Sequence, residues 1–189
     1  MTEQFLHDFK DGNGLVLSHR HKNGGGIVAN TAHVDDTCII APTAQVGGNA
    51  MVVEKCKILG NTRVLGNAHI SGKVILEDEV EVSGTAELKY DTVLFGAAKV
   101  SIPPKVVLGF DHPVIITDNH IFLGCHCFDM EQWDRAAPII KVNGYPTKTA
   151  NHIHRIVSIV ADIHFNLFIE EGELSQPSAE CFKAKIIGF

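Results

Sequence analysis

The sequence predicts a parallel β-helix with a small mixed cap, and three observations point there. Residues 31–102 divide without a gap into twelve hexapeptides, TAHVDD through AAKVSI. The fourth place of each unit is aliphatic, from Val34, Ile40 and Val46 to Leu88, Leu94 and Val100. The second is small or β-branched, from Ala32 and Cys38 to Thr92 and Ala98. The phase then ends at Pro103-Pro104, where the backbone lacks donors that a strand ladder needs. This is the pattern of one short strand per unit and three units per triangular turn.

The elements follow in order. Residues 1–24 hold LVLSHRH between DGNG and KNGGG, a strand or hairpin capping the first turn. Residues 25–102 are the β-helix. Twelve units give four turns and residues 25–30 add part of another, for about five turns and a height of roughly 20 Å at about 4.8 Å per turn. The second and fourth places point inward and stack as ladders. Glycines such as Gly48, Gly66 and Gly84 close their units, where the chain turns a corner with positive φ.

Residues 103–189 form the cap. Residues 114–116 and 121–123 flank Thr117-Asp118-Asn119-His120 as a β-hairpin with a polar turn. A short helix is expected over 129–137 with Asp129 as N-cap. Residues 143–146 read as a loop. Residues 149–168 are apolar at Ile153, Ile156, Val157, Val160, Ile163 and Leu167, a helix period. Pro177 lies in a polar stretch, and residues 181–189 read as a strand or tail.

The bulk numbers exclude several classes. Hydrophobic content of 45% and 20% charged residues over 189 positions suit one ordinary domain with an appendage. A net charge of −6, with no Lys/Arg run, argues against a nucleic-acid coat. No run of about 18 apolar residues suggests a membrane span. The start, MTEQFLHDFKDG, lacks the apolar segment of a signal peptide. Of five cysteines, Cys38 and Cys56 hold inward places on stacked turns. They read as reduced core thiols in a cytoplasmic protein.

The outward places differ between the three faces. Units starting at 37, 55, 73 and 91 show Ile39, Ala41, Lys57, Leu59, Ile75, Glu77, Val93 and Phe95, of which six are apolar. A second face shows Gln45, Gly47, Arg63, Leu65, Glu81, Ser83, Lys99 and Ser101. The third shows His33, Asp35, Met51, Val53, His69, Ser71, Glu87 and Lys89. A contiguous apolar face marks an interface, here Ile39, Leu59, Ile75, Val93 and Phe95. Three occupants are open: the chain's own C-terminal helix, a second subunit in a homodimer or homotrimer, or another partner or ligand.

Residues 24–52, GGGIVANTAHVDDTCIIAPTAQVGGNAMV, resemble the opening of a hexapeptide-repeat group of bacteria, phages and prophages, the YdcK type. Gly25-Gly26-Ile27-Val28 and Asn67-Ala68-His69-Ile70 carry the likeness, and Gly124-Cys125 followed by Glu131-Gln132-Trp133 resembles the group's closing segment. The likeness runs over about 24–159, with KVILED and DTVLFG departing from the G-N-A-x-V form. It implies an all-β-dominated fold, a left-handed parallel β-helix with a C-terminal α/β cap. The transferase-like label of the group rests on fold analogy.

Acyltransferases of this fold usually form trimers, hold acyl-CoA between subunits and use a histidine as general base. His33 and His69 are the candidates for that role, two turns apart on one face. No loop leaves the repeat to wall an acceptor pocket. The three-histidine zinc pattern of γ-class carbonic anhydrases is not reproduced. His120, Cys125 and Cys127 are the closest set of possible metal ligands, with a packed strand-to-helix corner as the competing reading. His19-Arg20-His21 and His152-Ile153-His154 read as polar surface residues. Gly24-Gly25-Gly26 leads into a strand, not a phosphate-cradling helix.

The expected function is that of a non-enzymatic binding or scaffold protein, phage- or prophage-related, acting through the apolar face and the cap without a cofactor. The alternatives are an acyltransferase-like enzyme and a protein that captures a small nucleotide or metabolite between protomers, as in an anti-defence role.

Overall fold

The computed structural model describes residues 3–89, 91–108, 112–136 and 147–170. The expected loop at 143–146 and the segment at 181–189 lie outside them. Strands β1 (Gln4–Asp8) and β2 (Leu15–Arg20) form an antiparallel hairpin, and β2 pairs antiparallel with β3 (Ile27–Ala29). From β3 onward a strand begins every six residues, which gives a parallel β-solenoid of about four turns.

Three sheets wall the solenoid. The hairpin sheet continues from β3 through β6 (Gln45–Val46), β9 (Arg63–Val64), β12 (Glu81–Val82) and β15 (Lys99–Val100). The histidine sheet stacks β4 (His33–Val34), β7 (Met51–Val52), β10 (His69–Ile70) and β13 (Glu87–Leu88). The apolar sheet stacks β5 (Ile39–Ile40), β8 (Lys57–Ile58), β11 (Ile75–Leu76) and β14 (Val93–Leu94). The two-residue length of these strands follows from the pattern: one inward and one outward place, then a corner.

The inward ladder is as expected from the sequence. Ile40, Val46, Val52, Ile58, Val64, Ile70, Leu76 and Leu94 are fully buried, as are Cys38, Ala44, Ala50 and Cys56 beside them. Cys38 and Cys56 are free thiols. The Cys56 thiol donates to Val53 O, and its hydrogen bond with Cys38, together with burial, pushes its pKa well up. It stays protonated and acts as a core filler.

The corners explain the glycines. Gly48, Gly66 and Gly84 stack in one column at φ of 64°, 67° and 58°. A Cβ on Gly48 would lie 2.7 Å from Gly66 O, so this column excludes side chains as well as negative φ. Elsewhere Glu54 and Asp78 take the same positive φ. Thr31, Thr37 and Thr43 brace their corners by donating Oγ1 to the carbonyls of Gly48, Glu54 and Gly60 one turn on.

Past Pro103-Pro104 the pairing becomes antiparallel. A four-stranded cap sheet runs β16 (Lys105–Val107), β17 (Val114–Ile116), β18 (His120–Leu123) and β19 (His126–Asp129). The hairpin over 114–123 is as expected. β16 and β19 are additions: both are short, and neither shows the alternation that betrays a strand from sequence. Helix α1 (Met130–Asp134) has the expected cap, a reciprocal box in which Asp129 accepts from Gln132 N and Gln132 Oε1 accepts from Asp129 N. Helix α2 (Thr147–Glu170) covers the expected 149–168.

The cap has its own core. Ala150, Ile153, Val157 and Ala161 of α2 pack on Val114, Ile116, Ile121, Phe128 and Trp133. The Trp133 indole donates to Ser158 Oγ at 3.1 Å and stacks on His154 with ring centroids 5.2 Å apart. His154 is therefore a packing residue and not a free surface one. His21 is also buried, at 5% exposure, with Nδ1 against Asn23 O, which corrects its reading as a surface residue.

The turn of the β17–β18 hairpin closes the solenoid by imitating the next rung. Asp118 N donates to Lys99 O, and Asp118 Oδ2 accepts from Ser101 N at 2.6 Å. Asn119 Oδ1 accepts from Lys99 N at 2.7 Å, while its Nδ2 donates to Ala97 O. Two side chains thus satisfy the ladder that β15 leaves open.

Candidate functional site

The apolar sheet carries the predicted interface. Register places Ile39, Lys57, Ile75 and Val93 in one outward column. Leu59 and Phe95 lie two residues on from Lys57 and Val93, on the same face. Ile39, Leu59 and Ile75 are half-buried, and Val93 is 42% exposed. Phe95 is half-buried too, and here the cap contributes: its ring meets Phe122 edge-on at 5.2 Å and packs against the solenoid core.

Among the described residues, the C-terminal helix makes its main contacts elsewhere. The buried face of α2 is spent on β16, β17 and Trp133. Where the solenoid meets the cap, Val93, Phe95, Ile115, Phe122, Asp91 and Cys125 line a groove of about 570 Å³. The column of aliphatic side chains on the apolar sheet runs into this groove.

The two histidines sit as the sequence placed them. On the histidine sheet His33, Met51, His69 and Glu87 form one outward column. His33 Nε2 lies 3.2 Å from Asp35 Oδ1, and His69 Nδ1 lies 3.9 Å from Glu87 Oε1. Glu87 also binds Lys89 at 2.6 Å, which lowers its pKa. Each imidazole thus has a carboxylate neighbour, the kind of partner that orients the ring in a Ser-His-Asp triad. Both stand on an open face, with Met51 between them.

The possible metal ligands do not converge. Cys125 occupies the exposed turn between β18 and β19, after Gly124 at φ of 59°. Cys127 lies opposite Phe122, and burial, helped by Asp129, pushes its thiol up to about 11. His120 pairs across with Asp129, and burial lowers its pKa. Among the described residues no three His, Cys, Asp or Glu side chains are grouped to hold a metal ion. The expected corner is in fact a tight hairpin turn. Sequence reasoning missed it because HCFD lacks the apolar run that marks VII and IFL.

Among the described residues no helix is long and apolar enough to cross a membrane. No family model, curated protein or solved structure matches this chain.

Proposed function

We propose that the chain is a non-enzymatic binding scaffold of the left-handed hexapeptide type, phage- or prophage-related, that docks a protein partner on its apolar sheet and the adjoining cap groove. The observation that carries this reading is the outward column Ile39, Ile75 and Val93, flanked by Leu59, while the described part of α2 packs on the cap sheet. An aliphatic column on a rigid prism favours a flat apolar partner surface, and Lys57 within it favours an acidic residue on that partner. A photo-crosslinking residue at Ile75 in the native cell is expected to trap one defined protein, and the same residue at Arg63 on the hairpin sheet to trap none. Equal trapping at both positions would sink the reading.

The acyltransferase alternative rests on the carboxylate-paired histidines, His33 with Asp35 and His69 with Glu87. It requires a neighbouring subunit to wall the histidine sheet. A rise in melting temperature with acetyl-CoA that His69→Ala removes would favour it over the scaffold.

A further inference from the structure

The histidine sheet carries an outward column that the docking reading does not use. Register stacks His33, Met51 and His69 on three successive rungs, with Glu87 on the fourth. The rungs are locked one on the next: His33 N donates to Ala50 O, Met51 N to Ala68 O and His69 N to Ala86 O, each at 2.9 Å. The three side chains therefore rise from one rigid wall at a spacing of about 4.8 Å. Met51, between the two imidazoles, is 41% exposed.

The carboxylates decide which ring nitrogens keep a lone pair. An ionised carboxylate only accepts, so the nitrogen that faces it carries the proton. His33 Nε2 faces Asp35 Oδ1 at 3.2 Å, which leaves the lone pair on Nδ1. Asp35 is itself aimed, because its Oδ2 accepts from Glu54 N at 2.9 Å. His69 Nδ1 lies 3.9 Å from Glu87 Oε1, whose charge draws the proton to that nitrogen and leaves the lone pair on Nε2. A carboxylate behind one nitrogen and a lone pair on the other is the arrangement of metal-binding histidines.

We propose that His33 Nδ1, Met51 Sδ and His69 Nε2 form a site for a soft monovalent cation, Cu(I), in which a thioether stands where a third His, Cys or carboxylate would complete a harder set. The donors select the ion. Two neutral imidazoles and a thioether bring no charge to hold a hard dication, and thioether sulfur favours Cu(I) over Zn, Mg or Ca. The spacing agrees. His33 and His69 stand two rungs, roughly 10 Å, apart. Two metal–imidazole bonds of about 2 Å each leave roughly 3 Å for each ring to lean along the ladder, over the sulfur of Met51. Asp35 and Glu87 then balance the ion's charge from outside the ligand set. The site lies on a different sheet from the aliphatic docking column, so either reading can fail without the other.

The test is an anaerobic titration of the full chain with Cu(I), read by NMR on the Met51 methyl group and on the ring nitrogens of His33 and His69. Cys125, Cys127 and Cys181 are changed to serine so that the thiols beyond the repeat do not compete. The wild-type chain, titrated past saturation of its thiols, gives the same readout should the serine chain fold poorly. One equivalent is expected to shift all three signals together, and the same amount of Zn(II) to leave the Met51 methyl unmoved. Competition with a chromogenic Cu(I) chelator should show His33→Gln and His69→Gln each weakening binding at least a hundredfold, and Met51→Leu about tenfold. All three side chains point outward, and unchanged melting of the variants shows that the fold is intact. A Met51 methyl that stays in place under a large excess of Cu(I) overturns the inference. So does Met51→Leu binding as tightly as its parent, or one ion per two chains, which would make the site a bridge between copies.

Discussion

The solenoid and the cap solve the same problem by different means. In the solenoid each rung's amides donate to the next rung's carbonyls 17 residues on, as in Met51 N to Ala68 O and His69 N to Ala86 O. Each rung therefore needs little from its side chains beyond size and phase. The cap has no such repeat. It rests on single arrangements: the Trp133–His154 stack, the Asp129 capping box, and the two side chains that plug β15. A periodic element distributes its stability over equivalent contacts, whereas an aperiodic one concentrates it in a few residues.

The largest test of that contrast is Trp133→Ala. It should cost about 3–5 kcal/mol, because it empties the centre of the cap core. Hydrogen exchange should show the loss in β16–β19 and α2, with the rungs from β4 to β12 still protected. Exchange rising equally in both regions would mean that they unfold as one unit.

Ile58→Ala, in the middle of the ladder, should cost about 2–5 kcal/mol and be felt over the rungs above and below it. A denaturant midpoint that falls while cap amides stay slow would sharpen the division.

His164 tests the cap by pH. It is fully buried on α2, 4.0 Å from Asp118, and burial, with Lys105 adding, pushes its pKa down to about 4. The folded cap thus holds a neutral ring that the unfolded chain protonates below about 6.5. Its contribution is present above pH 6.5 and is lost as pH falls towards 4, by up to about 3 kcal/mol. His164→Leu should flatten the fall in melting temperature between those limits. An unchanged slope would remove His164 as its cause.

Asp118→Ala should cost about 1–3 kcal/mol, since it leaves Ser101 N without its acceptor. The amides of Lys99 and Ser101 are expected to exchange faster while those of Glu81 and Ser83, one turn inside, do not. This is the smallest effect of the four and the most local.

The legibility of the sequence follows the same line. Ile40, Ile58 and Leu76 announce their burial because each recurs in phase, and a fault at one unit is outvoted by the rest. The outward apolar column was legible for the same reason: a fixed 18-residue turn sorts every outward residue onto a face. The rung-mimicking role of Asp118 and Asn119 was not legible. Those residues read as an ordinary polar turn, and only their position against Lys99 and Ser101 gives them their partners. The burial of His21 and the packing of His154 on Trp133 were hidden likewise, since each is a polar residue whose packing partner is distant in sequence.

What the sequence determined alone was therefore the parallel solenoid, its inward ladder, its corners, the hairpin at 114–123 and the α2 helix. Their signals are local or periodic. Tertiary structure alone decided that the described part of α2 packs on the cap sheet, and that Phe95 meets Phe122 edge-on. It alone decided as well that Leu6, Leu15 and Leu17 stand exposed on the hairpin before the first turn. Each of these depends on where a chain segment comes to rest after a non-repeating turn, and no periodicity within the segment encodes that position.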